Sequence, residues 1–197
     1  MSSVHLLIDG AIAEMRLDNP AKLNALTPAM LDQIMAHCDT VESNGDVVAV
    51  LVTATGPKAF CTGADITAWA DLSPADFARH WVRAGHRVFD RLARLSKPTI
   101  AVLEGPAYGG GLELALACTL RIAAPHVKMS LPEVKLALVP AYAGTQLLPA
   151  VIGRARALDM MLTGRAVDAS EAHAMGLIHR VAATDSPIAN QAIAFGQ

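Results

Sequence analysis

The chain has 197 residues, enough for one domain with a substantial core, and its 53% hydrophobic and 17% charged content excludes a disordered polypeptide. A net charge of -2 at pH 7, with the lysines and arginines scattered, excludes the basic footprint of a nucleic-acid binder. No apolar run approaches the roughly 18 residues of a membrane span, and the opening MSSVHLLIDGAIAEMRLDNP lacks the basic start and unbroken apolar stretch of an export signal.

In chain order, VHLLID and AIAEMRL flank Asp9-Gly10, a pair that supplies positive φ, and so predict a β-hairpin. Thr27-Pro28 opens a helix, threonine as N-cap and proline at the first helical position, running through LDQIMAHCDTVE. The β-branched run VVAVLVTA (47 to 54) reads as a buried strand. After the loop TGPKAFCTGAD, a long helix is expected from about Ser73 to Leu95, started by Pro74 and stopped by Pro98.

Strand TIAVLE (99 to 104) then leads through AYGGG into a short apolar helix. LRIAA and VKMSL read as strands, 144 to 151, 154 to 162 and 169 to 175 as helices, LIHRVAA as a last strand and IANQAIAF as a helix. No linker, low-complexity tract or repeat interrupts residues 1 to 197, so a single domain of class α/β is expected. Cys38, Cys61 and Cys118 fit no metal-ligand spacing and leave one unpaired, as expected of reduced thiols in a cytoplasmic protein.

The chemistry concentrates in AYGGGLELAL (107 to 116). Gly109 to Gly111 fall where a strand turns into a helix, whose first N–H groups lack internal partners and face the positive end of the helix dipole. Such a turn suits a phosphate, a carboxylate or a developing oxyanion. The glycines lack the spacing of a dinucleotide fingerprint and the Lys-Ser/Thr of a phosphate loop.

Glu113 follows within an otherwise apolar helix. Either it is a structural acid in a first turn, or burial raises its pKa toward a range useful for proton transfer. Glu133, after Pro132, is either a helix-start acid or a second site carboxyl. Gly63-Ala64-Asp65, just after the buried strand, offers another exposed backbone N–H.

Two glycine-flanked amides and two carboxyls form one set. Against it, seven histidines including His37, His80, His86, His126 and His173 show no paired-ligand spacing for a metal, and no serine sits in a G-x-S-x-G elbow.

LNAL (23 to 26), FCTGADI (60 to 66), YGGGLELALAC (108 to 118), SLPEVKLALVP and AGTQLLPAVIGRARALDMMLTGR together resemble the crotonase superfamily of enoyl-CoA hydratases and isomerases. The match runs in order over almost the whole chain. The resemblance implies an α/β crotonase-like (ClpP/crotonase) spiral of β-β-α units with surrounding helices, and a homotrimer or a dimer of trimers. It also implies a longer C-terminus than this one, with trimerisation helices that cover the site.

By resemblance, the N–H groups of Ala64 and Gly110 form an oxyanion hole for an acyl-CoA thioester, worth roughly 3 to 4 kcal/mol per donor. Glu113 orients and activates a water, and Glu133 exchanges a proton with the substrate carbon. Retention of both acids points to hydration of a 2-enoyl-CoA. The alternatives are an isomerase or another enolate-forming acyl-CoA enzyme using Glu133 alone, or a non-catalytic acyl-CoA binding protein.

Lys22 and Lys58 match positions near phosphate-facing lysines and are equally read as solvated surface lysines. Ala25, Asp65 and Ile66 are expected along the adenine and pantetheine side. No metal or cofactor is expected, coenzyme A being part of the substrate. Trp69 and Trp81 are expected in core or lid packing or along the wall of an acyl pocket, and Tyr142, where a small residue is expected, narrows the site.

Overall fold

The computed structural model describes residues 2–68, 72–183 and 187–196. Strands β1 (Ser3–Asp9) and β2 (Ile12–Asp18) form the expected antiparallel hairpin, turning at Gly10 with φ of 55°. In β2 buried and half-buried residues alternate, as one covered sheet face requires. Helix α1 (Pro28–Ser43) supplies that cover with Met30, Leu31, Ile34, Cys38 and Val41, and Thr27 caps it by accepting from the Met30 N–H.

Strands β3 (Ala49–Ala54) and β4 (Thr99–Leu103) are buried along almost their whole length. They are followed by β5 (Ala107–Tyr108), β6 (Leu120–Ala123), β7 (Lys128–Ser130), β8 (Val167–Asp168) and β9 (Arg180–Val181). A six-stranded sheet has the order β1-β2-β3-β4-β6-β9, parallel from β2 onward, and a three-stranded sheet has the order β5-β7-β8.

The period-two rule divides the core. Val50, Val52, Ala101 and Leu103 face the cluster under α1, while Leu51, Ile100, Val102 and Ile122 face a second cluster that Ile188 and Ala192 close from the last helix, Ile188–Gly196. Covering on both faces is what lets these strands be continuously apolar.

The remaining helices are α2 (Pro74–Asp76), α3 (Arg83–Ala93), α4 (Gly110–Ala117), α5 (Gly144–Ile152), α6 (Arg154–Thr163), α7 (Ala169–Ala174) and α8, the closing helix named above. The long helix expected from Ser73 to Leu95 is thus not uniform: Phe77–Val82 forms a π-helical segment between α2 and α3. Two strands are shorter than read from apolar runs. The run at 47 to 54 starts pairing only at Ala49, because the Val47 N–H is used by the Asn44 carbonyl in a turn. LIHRVAA keeps only Arg180–Val181, since Leu177 and Ile178 donate instead to the Ala172 carbonyl at the end of α7.

Topology gathers three chain segments beside one another. Parallel bridges join Cys61 to Ala107, and Ala107 and Tyr108 to Met129 and Ser130. Whatever follows these residues leaves on the same side: Gly63-Ala64, Gly109 to Glu113, and Pro132-Glu133. Among the described residues no helix is long and apolar enough to cross a membrane.

Candidate active site

The three emerging segments line one cavity of about 130 Å³, which includes Ala64, Gly110, Glu113 and Glu133. All four residues expected to act chemically therefore share a pocket. Its remaining wall is mostly apolar, with Ile66, Phe77, Trp81, Leu138, Val139 and Tyr142.

Close backbone approach explains the glycine run. Gly109 has φ of 53°, and a Cβ there would stand 3.1 Å from Glu133 Oε1. A Cβ on Gly111 would lie 2.1 Å from the Cys61 carbonyl oxygen, so only glycine lets α4 begin against the segment carrying Ala64. Between them Gly110 opens α4, where its N–H has no intrahelical acceptor.

The Ala64 N–H is freed by its bridge. Leu26 N donates to Gly63 O at 2.7 Å and Asp65 N donates to Leu26 O at 2.8 Å, which turns the intervening Ala64 N–H to the opposite side. The two donor segments approach so closely that a Cβ on Gly63, whose φ is 103°, would sit 3.3 Å from Gly110 N. Two unbonded donors at one end of an apolar pocket can stabilise negative charge on an oxygen.

Glu113 is only 1% exposed. Its Oε1 accepts from the Tyr142 N–H at 2.8 Å and the Gly144 N–H at 2.7 Å, at the start of α5. Burial pushes its pKa up to about 7; these backbone bonds work against the shift, and the Glu133 charge adds to it. Burial also raises the Glu133 pKa, and Glu133 Oε2 is a buried oxygen without a hydrogen-bond partner. Two acids raised together in one pocket titrate as a pair.

The Tyr142 and Gly144 donors were missed in the sequence. A signal existed, because the helix start expected at residue 144 necessarily presents free N–H groups to a carboxylate. Glu133 opens the 3-10 turn Glu133–Leu136, which is its helix-start reading, yet its side chain also reaches the pocket. Both readings hold for it.

The sequence model of the family described as enoyl-CoA hydratase/isomerase matches residues 8–197. The chain belongs to the enoyl-CoA hydratase/isomerase family. A probable enoyl-CoA hydratase of Mycobacterium leprae is 40% identical over 91% of this chain and 69% of its own length. A putative enoyl-CoA hydratase/isomerase of Bacillus subtilis is 42% identical over 87% of this chain and 66% of its own. An enoyl-CoA isomerase/hydratase of Penicillium crustosum is 38% identical over 93% of this chain and 21% of its own. The crystal structure of an enoyl-CoA hydratase from Bacillus anthracis superposes with a TM-score of 0.93 at 32% identity, covering 98% of this chain and 74% of that one. The fold is the crotonase fold expected from the sequence.

The residues expected along a family coenzyme A site divide between four places. Ile66 is exposed and lines the acidic pocket itself. Lys22 Nζ donates to Asp65 Oδ2 at 2.7 Å and to Thr67 Oγ1 at 3.2 Å. That partner holds the Asp65 carboxyl below its ordinary range, so Asp65 fixes a loop and neutralises the lysine. Lys58 is exposed beside a separate hollow with Pro20, Leu23 and Asn24. Ala25 is nearly buried, and its carbonyl accepts from Asn19 Nδ2 at 2.8 Å.

Trp81 is buried and lines the pocket wall, the second of its two expected places, while Trp69 lies outside the described residues. Cys38, Cys61 and Cys118 are free and buried, and burial pushes each thiol up to about 12, so none is a nucleophile at neutral pH. No group of three metal-ligating side chains forms among the described residues.

Proposed function

We propose that this family member is an enoyl-CoA hydratase that adds water across the 2,3 double bond of a 2-enoyl-CoA thioester. The observation that carries the reading is the meeting of Glu113, Glu133 and the Ala64 and Gly110 N–H groups in one apolar pocket. The thioester oxygen is held by the two N–H groups and takes the charge of an enolate as the bond polarises. Ionised Glu113 uses its second oxygen to take a proton from the water whose hydroxyl bonds to C3. Protonated Glu133 delivers its proton to C2, and a proton then passes from Glu113 back to Glu133. Water is thereby added in full and both acids are restored.

Each acid suits its part. Oε1 of Glu113 is anchored by two backbone donors, which fixes the other oxygen toward the water. Glu133 lies against Gly109, beside the donor that faces the substrate oxygen. The reaction draws on no metal or redox group, and coenzyme A enters only within the substrate. A cytoplasmic setting agrees with three unpaired thiols.

Isomerisation by Glu133 alone is the second reading, favoured by the relative named both isomerase and hydratase. We also propose assembly as a trimer or a pair of trimers, for which the crotonase-fold neighbours and the exposed Leu136, Val139 and Leu162 are the support.

Loss of the enoyl-thioester absorbance of crotonyl-CoA tests the reaction. Turnover is expected from the unmodified protein and a loss of roughly 10²- to 10⁴-fold in Glu133→Gln, with substrate binding retained. Glu113→Gln should lose turnover comparably. Full turnover in Glu133→Gln would remove that residue from the mechanism, and loss in Glu133→Gln alone would favour the isomerase reading.

A further inference from the structure

The chain has only four Phe, two Trp and two Tyr, yet Phe77, Trp81 and Tyr142 line one pocket and Phe89 packs behind Tyr142. Tyr142 is the centre of this group. It is 2% exposed, and its ring centroid lies 5.0 Å from that of Phe89 at an interplanar angle of 58°.

The ring fills the gap between α3 and α4. A Cβ on Gly85 of α3 would fall 2.2 Å from Tyr142 Cε1, so the helix has a glycine where the ring passes. On the other side, a Cβ on Gly110 would meet Tyr142 Cδ2 at 3.2 Å. A large side chain is thus wedged against the backbone that presents the substrate-facing N–H, and a neighbouring helix is notched to admit it.

The phenol is as notable as the ring. Its oxygen is buried, and among the described residues its polar neighbour is the Trp81 indole. An indole only donates, so it can satisfy the oxygen but never receive the phenolic hydrogen. It is the volume of the Tyr142 ring, packed against Gly85 and Gly110, that closes the gap between α3 and α4.

We propose that Tyr142 is the specificity-determining wall of the acyl pocket and restricts the substrate to short acyl chains. The inference rests on the acyl-CoA reading above. Carbons beyond the reacting pair must leave the two glutamates toward apolar wall, and the passage between α3 and α4 is closed by this ring. In a close-packed hydrophobic pocket one methylene changes selectivity by roughly 10- to 200-fold, so a closed passage gives a steep dependence on chain length.

The test is kcat/KM for a series of 2-enoyl-CoA esters from four to ten carbons, paired with calorimetric binding of the matching saturated acyl-CoA esters. The unmodified protein should favour the four-carbon ester by at least about 10-fold over the ten-carbon one. Tyr142→Ala should reduce or invert that preference by a similar factor. Tyr142→Leu, which keeps more packing should the alanine variant fail to fold, should shift it in the same direction, and Tyr142→Phe should keep the original profile.

A preference seen in binding without turnover would sustain the wall and overturn only the hydratase reading. An unchanged profile in folded Tyr142→Ala or Tyr142→Leu, or no preference in the unmodified protein, would overturn the wall. If no acyl-CoA ester binds, both readings fall together.

Discussion

Glu113 is a buried carboxyl whose proton affinity has a direction that can be measured. Its folded pKa of about 7 exceeds the ordinary 4.5, so the folded chain holds a proton more tightly than the unfolded chain does. The associated stability is fully present below the unfolded value and is lost as pH rises through about 7. Glu113→Gln, which keeps an oxygen for the two backbone donors, should therefore raise the melting temperature by several degrees at pH 8 and little at pH 4, as read by calorimetry. Equal shifts at both pH values would mean that the carboxyl is not held in this environment. In the proposed hydration, water activation needs ionised Glu113, so turnover should decline below about pH 7.

Glu113 was legible because it stands alone in an apolar helix, whereas Glu133, near Lys135 and after Pro132, read equally as a helix-start acid and was singled out by the family resemblance. The partners of Glu113 were less so, since a backbone N–H of Tyr142 leaves no mark on residue type. Gly85 likewise had no local reason to be glycine; its reason is a ring 57 positions later in the chain.

At the scale of the element, α4 is held at both ends by unlike devices. Its start is pressed against Cys61 and Gly63 through glycine contacts, and its end is closed by Arg121, which is 4% exposed. Arg121 Nη1 donates to the Ala115 and Cys118 carbonyls at 3.2 and 2.8 Å, and Nε donates to Leu177 at 2.8 Å. No carboxylate pairs with this cation among the described residues; the negative end of the helix dipole does that work.

Arg121→Met should leave the Cys118 and Leu177 carbonyls short of donors, the Ala115 carbonyl keeping the Cys118 N–H, and cost about 3 kcal/mol, lowering the melting temperature by roughly 6 to 12 °C. A drop below about 2 °C in a thermal melt would contradict the role. Helix starts were readable from Thr27-Pro28 and Pro74, because caps are local chemistry. The π segment at Phe77–Val82 was not, since its extra residue per turn lies among side chains that fit an ordinary helix equally well.

For the whole molecule, the decisive feature is the set of parallel pairings that sends three distant loops out side by side. Composition and alternation conveyed an α/β class, but the register that joins Cys61, Ala107 and Met129 depends on long-range pairing and was not legible; the family resemblance implied only that Ala64 and Gly110 come together. The coenzyme A side was the least legible, because lysines on a surface look alike until their partners are seen, as the Lys22–Asp65 pair illustrates. Assembly belongs to this scale too. Light scattering is expected to give the mass of a trimer or hexamer, and a monomer at all working concentrations would contradict that proposal.

The proposed hydratase adds water and does not merely shift a double bond. The most direct measurement is mass spectrometry of the product formed from crotonyl-CoA in water enriched in the heavy oxygen isotope. The account predicts a 3-hydroxyacyl-CoA carrying one solvent oxygen, lost in both Glu113→Gln and Glu133→Gln. An isomerised enoyl-CoA without solvent oxygen, or a bound substrate returned unchanged, would contradict it.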